Sequence, residues 1–269
     1  MIPFYKKDNV WIYQGDARNM DLIPNETIHL ICTSIPYYNA RPEYAEWETY
    51  TDYLEDMQKV WMECHRVMAD GARIAINVPL GYSRTEYIPI GVDITKQLQN
   101  TFTLRGHIIW NKSNIGSTAW GSWLSANNPT IRDSHEIIVL AHKGNPSRLS
   151  TRNDKVNTIN AQTFMDTTNS VWNILPESKS WHPAPWPNEI PRRLIELLTF
   201  ENDIVLDPFA GSGTVGEVAS SLNRRFVLFD INEKYIKAIQ NDVTNWSVNP
   251  KSIVWQNCTP SEQMSLFGS

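Results

Sequence analysis

The chain has 269 residues, with 24 Lys+Arg against 29 Asp+Glu, and its formal net charge of −5 by itself points away from nucleic acid. A 30.9 kDa chain with 41% hydrophobic and 20% charged residues is neither disordered nor in need of a metal or disulfide staple. Three cysteines without a C-x-x-C pair exclude a disulfide framework and a thiolate zinc site, and a charged start with no apolar run near ~18 residues leaves a reduced cytoplasm as the expected compartment.

In chain order, the first two apolar runs with the length and β-branched content of buried strands are Val10–Tyr13 and Ile28–Cys32. A helix is predicted over Asp52–Met68, where Tyr53, Met57, Val60, Trp61 and Cys64 recur at three-and-four spacing. Asp52 and Glu55 read as its capping box and Gly71 as its stop. Strands follow at Arg73–Val78, Leu104–Trp110 and Glu136–Ala141. The stretch 144–180 lacks periodicity, is rich in Asn, Ser, Thr and Pro, and reads as a small loop-rich insertion suited to target recognition. It separates residues 1–143 from 181–269. The second part brings a helix over Pro191–Phe200, a strand at Ile204–Leu206, a helix opening at Gly213, a strand at Arg225–Phe229 and a helix near Glu233. Strands alternating with helices imply an α/β fold on a mostly parallel sheet.

The segment Asp207-Pro208-Phe209-Ala210-Gly211-Ser212-Gly213-Thr214 carries a strand into a glycine turn and a helix, with Asp230 ending the next strand. Glycines admit a nucleotide close to the backbone, the helix start offers free N–H groups, and a distal acid suits ribose hydroxyls. Asp207 just ahead of the glycines would repel a pyrophosphate. It suits a cofactor carrying an ammonium and a sulfonium, which favours S-adenosyl-L-methionine over a nicotinamide.

These residues resemble the cofactor motif of the amino-DNA methyltransferases. Thr33-Ser34-Ile35-Pro36-Tyr37 is similar to their catalytic motif, in which a Ser, Asp or Asn precedes Pro-Pro and an aromatic residue. Trp181-His182-Pro183 onward resembles the segment covering the methionine part of the ligand. Ile109-Trp-Asn-Lys112 and His135–Gly144 resemble the paired final strands of that fold. The order, catalytic motif first, resembles the circularly permuted β class. The resemblance implies a Rossmann-like, seven-stranded sheet with a terminal antiparallel strand.

It also implies roles. Ser34 Oγ and the backbone carbonyl of residue 35 would accept the two protons of an exocyclic amine, Pro36 would stiffen the loop, and Tyr37 would stack on a flipped base. Asp16 would sit beside the adenine of the cofactor, although it could equally cap a helix at Ala17; Thr33 joins the cofactor set. Ile35 departs from the family's Pro and puts loop rigidity in doubt, because Ile does not fix φ. Ser in the first position points to the N4 amine of cytosine. The alternatives are the N6 amine of adenine, a catalytically weakened DNA- or cofactor-binding module, or an RNA or small-molecule substrate.

Double-stranded DNA is the expected partner. Residues 84–155 hold nine basic against five acidic residues, a net +4 that leaves −9 for the rest. Lys143, Arg148, Arg152 and Lys155, with Arg41, Lys112 and Ser113, are the candidate DNA contacts. A cognate restriction endonuclease and a monomeric or homodimeric state are both compatible with the resemblance.

Overall fold

Alternate residues of each short apolar run enter opposite layers: Val10 and Ile12 one, Trp11 and Tyr13 the other. Leu30 and Cys32 likewise oppose Ile28 and Ile31, and Val205 opposes Ile204 and Leu206. Runs apolar on both sides require a sheet covered on both faces, and the computed structural model has that arrangement. It describes residues 4–7, 10–39, 47–83, 86–112, 122, 124–129, 131, 133–148, 159–177, 186–243, 246 and 254–256.

The strands are β1 (Phe4–Lys7), β2 (Val10–Gln14), β3 (Ile28–Ser34), β4 (Met68–Val78), β5 (Tyr82–Ser83), β6 (Tyr87–Ile88), β7 (Thr103–Asn111), β8 (His135–His142), β9 (Val171–Asn173), β10 (Ile204–Asp207), β11 (Arg225–Asp230) and β12 (Val254–Gln256). The helices are α1 (Tyr50–Val67), α2 (Ile90–Thr101), α3 (Ala161–Thr167), α4 (Glu189–Leu198), α5 (Thr214–Ser221) and α6 (Glu233–Asp242). One sheet runs β12-β1-β2-β11-β10-β3-β4-β8-β7-β9, and β5 and β6 form a separate hairpin. Pairing from β2 through β4 is parallel, whereas β8 is antiparallel to both β4 and β7. Helices α1 and α2 cover one face and α4, α5 and α6 the other.

All seven strands expected from sequence are present, but the sheet among the described residues has ten. Strands β1 and β12 extend one edge and β9 the other, each too short or too polar to announce itself. Antiparallel strands occur at two places: β8 lies between β4 and β7, and β1 runs antiparallel to β2 near the other margin of the sheet. The capping box of α1 sits three residues earlier than expected. Thr49 is the N-cap and Asp52 its reciprocal partner, with Asp52 N–H donating to Thr49 Oγ1 at 3.1 Å and Thr49 N–H to Asp52 Oδ2 at 3.0 Å. Gly71 does not stop α1. The helix ends at Val67, and Gly71, at φ +73°, lies inside β4 near the register shift against β3. The stretch 144–180 also contributes structure, because α3 packs on α4 and β9 pairs with β7.

Candidate active site

Strands β2, β11, β10, β3 and β4 end at one edge of the sheet, and β8 begins there. The chain leaves β3 for α1 and β10 for α5 on opposite faces, so a crevice opens between these adjacent strand ends, where doubly wound sheets bind ligands. A cleft of about 920 Å³ occupies it.

The β10–α5 turn forms one wall. Gly213, at φ +82°, is the N-cap of α5 and Gly211 has φ +52°, a left-handed backbone that glycine adopts without strain. Gly211 N–H donates to Asp230 Oδ2 at 2.8 Å, and Asn232 N–H to Asp230 Oδ1 at 2.8 Å. Asp207 is 3% exposed. Its Oδ1 accepts from Thr33 Oγ1 at 2.5 Å and Phe209 N–H at 3.0 Å. Burial pushes the Asp207 carboxyl up to about 7 against the hydrogen bonds from Thr33 and Phe209, and burial likewise pushes Asp230 up to about 6. Neither has a basic side chain among its described partners. A buried and a half-buried acid without a cation among the described residues, beside the start of a helix, fit a nucleoside carrying positive charge. Pro208, Phe209, Ala210, Ser212 and Thr214 line the same wall.

Asp16 reaches the cleft from the end of β2. It caps no helix: residues 16–19 form a turn closed by Asn19 N–H donating to Asp16 carbonyl at 2.9 Å, and Asp16 Oδ1 accepts Arg18 N–H at 2.9 Å while the carboxylate holds the Arg18 guanidinium. Thr33 is fully buried and acts on Asp207 rather than on the cleft. His182 and Pro183 lie outside the described residues. Trp186, which follows them, lines the cleft.

The opposite wall is Ser34-Ile35-Pro36-Tyr37. Ser34 Oγ accepts from Asn77 Nδ2 at 3.3 Å, Pro36 carbonyl accepts from Tyr53 Oη at 3.1 Å, and Tyr37 Oη donates to Glu136 Oε2 at 3.0 Å. The doubt over position 35 has a structural answer. Ile35 is 3% exposed in the core, and its N–H donates to Asn77 carbonyl at 3.4 Å, a bond that proline could not make. Packing and this ladder bond restrain the loop in place of a ring.

Asn77 and Glu136 were not among the residues selected from sequence. Their signal is a polar residue inside a run otherwise buried, at Ile74-Ala-Ile-Asn77 and Glu136-Ile-Ile-Val139. Glu136 also takes Lys112 in an ion pair at 2.5 Å, and Lys112 lies over the Trp110 ring at 4.8 Å. Lys112 therefore belongs to the cleft wall. Trp110 and Trp172 are buried.

The remaining DNA-contact candidates divide. Arg41, Ser113, Arg152 and Lys155 lie outside the described residues. Lys143 and Arg148 lie at the far edge of the sheet, because His142 is six positions along β8 from Glu136, about 20 Å away. Lys143 Nζ donates to Met68 carbonyl at 2.8 Å, and Arg148 pairs with the buried Asp203. The structure does not bring these two to the cleft.

Comparison with known proteins agrees with this geometry. Residues 28–241 match the DNA methylase family N6_N4_Mtase. The type II methyltransferase M.MjaVI of Methanocaldococcus jannaschii is 33% identical over 182 residues, covering 65% of this chain and 90% of that protein. The DNA adenine methyltransferase YhdJ of Escherichia coli is 29% identical over 247 residues, 84% of this chain and 80% of that protein. TTHA0409 of Thermus thermophilus, complexed with S-adenosyl-L-methionine, superposes with a TM-score of 0.71 at 25% identity, covering 87% of this chain and 94% of that one. The cytosine-N4-specific PvuII DNA methyltransferase shares the fold at a TM-score of 0.70 and 17% identity, over 97% of this chain and 94% of that one. No described helix is long and apolar enough to cross a membrane. The chain belongs to the N6/N4 DNA methylase family and is an S-adenosyl-L-methionine-dependent DNA methyltransferase.

Proposed function

We propose that the chain methylates the exocyclic N4 amine of cytosine in a short specific sequence of duplex DNA, by base flipping and direct transfer. The observation that carries this reading is the placement of Ser34 and Tyr37 across one cleft from Asp207 and Asp230. S-adenosyl-L-methionine, when bound, supplies an electrophilic sulfonium methyl. The lone pair of a nucleobase amine is conjugated into the ring, so the protein's part is to redirect it. Ser34 Oγ and the Ile35 carbonyl accept hydrogen bonds from the amine N–H groups and favour a pyramidal nitrogen, while Tyr37 stacks on the extruded base; the proton that the methyl group replaces leaves to water. Asp230 holds ribose hydroxyls, Asp16 approaches the adenine, and Asp207 with Gly211 and Gly213 shapes the turn around a cationic ligand. His182 and Pro183 cover its methionine part.

On this reading the chain has the permuted order of the β class, with its catalytic segment ahead of the glycine turn. Arg41, Ser113, Arg152 and Lys155 contact the duplex, and a restriction endonuclease of the same specificity is a partner, which the type II names of relatives support. Adenine N6 is the second reading, favoured by the similarity to YhdJ. Expression in cells free of both marks, followed by mass spectrometry of DNA nucleosides, separates the two. N4-methylcytosine is expected; N6-methyladenine alone replaces the first reading with the second.

A further inference from the structure

One buried carboxylate gathers the polar side chains behind the catalytic loop. Glu136 opens the buried part of β8 and is 6% exposed. Its Oε2 accepts from Tyr37 Oη at 3.0 Å and from Asn77 Nδ2 at 2.5 Å, and its Oε1 faces Lys112 Nζ at 2.5 Å. A buried carboxylate is tolerated only when paired and hydrogen-bonded, and here the donors are residues of the catalytic wall.

The chemistry of each donor restricts the geometry. Asn77 is 1% exposed, and its Nδ2 spans Glu136 and Ser34 Oγ. Turning the amide over would set its oxygen against the carboxylate, so Glu136 decides which end of Asn77 meets Ser34. The hydroxyl of Tyr37 is anchored at the end of a ring whose face must be presented to a base. Lys112 balances the charge, so the anchor does not stand in the cleft as an isolated anion.

We propose that Glu136 is a positioning residue for methyl transfer. Resting on the assignment of Ser34 and Tyr37 above, it orients the acceptor through Asn77 and the stacking ring through the Tyr37 hydroxyl, with Lys112 as its counter-ion. It acts through Asn77 and Tyr37, so its effect falls on the rate of transfer.

The decisive comparison is made on a Lys112→Met background, where no charge needs balancing and any contact of Lys112 with DNA is removed from both arms. Adding Glu136→Gln leaves one carbonyl oxygen that can accept from both Tyr37 and Asn77. Adding Glu136→Leu leaves no acceptor. Transfer of tritiated methyl groups to unmethylated genomic DNA should be at least tenfold faster in kcat for the Gln double variant, with KM for S-adenosyl-L-methionine equal within twofold. Equal kcat values in the two would overturn the proposal. Tyr37→Phe, which keeps the ring and removes one donor, supplies a second test: a tenfold or greater loss of kcat at unchanged KM is expected, and wild-type kcat would also overturn it. Ser34→Ala distinguishes this inference from the reading beneath it. A wild-type rate there removes the acceptor assignment itself, whereas a slow Ser34→Ala with equal Glu136 variants removes only the positioning role.

Discussion

Thr33 Oγ1 donates to Asp207 Oδ1 at 2.5 Å across 174 positions of sequence, and both groups are buried. This bond ties the end of the strand that carries the catalytic loop to the end of the strand that carries the glycine turn. The parallel register of Leu30 with Val205 and Ile31 with Leu206 brings the two ends together. The spacing between the Ser34 loop and the glycine turn is thus set by one shared sheet rather than by two hinged units.

Replacing Asp207 by Asn tests the cost of a buried acid. Both observed hydrogen bonds go to Oδ1, which Asn retains. The folded carboxyl titrates near 7, above the usual 3.8, so its contribution to stability is full below the unfolded value and is lost as pH rises through 7. At pH 8 the variant should be more stable than the ligand-free wild type by on the order of a few kcal/mol in thermal unfolding. Calorimetry should show cofactor binding weakened at least tenfold.

The pH dependence of cofactor affinity follows from the same acids. Asp207 and Asp230 are raised to about 7 and about 6 by burial, and the proposed cationic ligand would bind their ionised forms. Affinity measured by titration calorimetry should therefore fall on the order of a hundredfold from pH 8 to pH 5.5. The Asp230→Asn variant should show a shallower profile.

Ser34→Ala removes the hydroxyl proposed to accept a hydrogen bond from the target amine while leaving the opposite wall intact. Single-turnover methyl transfer should slow by about a hundredfold, a loss typical of one preorganised hydrogen-bonding group. The dissociation constant for S-adenosyl-L-methionine should stay within twofold.

Ile35→Pro restores the residue common at this position in the family, yet the structure predicts harm. The variant loses the N–H bond to Asn77 carbonyl and a side chain buried in the core. A loss of about 1–3 kcal/mol in chemical denaturation is expected, with no gain in turnover.

Arg148→Ala should affect folding rather than DNA binding. Arg148 pairs with Asp203 through two bonds and stacks on Phe200 at the sheet edge remote from the cleft. A loss of about 1–3 kcal/mol is expected, because Asp203 is left buried without its main cation. The salt dependence of DNA binding should match the wild type.

The parts of the molecule readable from sequence were those written in short-range patterns. Seven buried strands, the amphipathic stripe of α1 and the glycine turn each carry a local signal of spacing or composition. The edge strands β1, β9 and β12 do not, since three or four residues give no periodicity and their pairing depends on distant partners. That Lys143 and Arg148 lie away from the cleft is hidden for a related reason. Their charge was visible, but the antiparallel course of β8, which carries the chain away from the cleft, is a property of the assembled sheet. Glu136 sits only seven positions before Lys143, at the other end of the same strand.

The pairing of Phe4 with Gln256 and Tyr5 with Trp255 gives the fold a nearly circular path. Strands near the two ends of the chain are neighbours, and the sheet does not record where that circle is opened. Joining those ends and cutting at an exposed turn elsewhere would leave each ladder in place. The same scaffold can therefore be written in more than one linear order, with the catalytic loop ahead of the glycine turn or behind it.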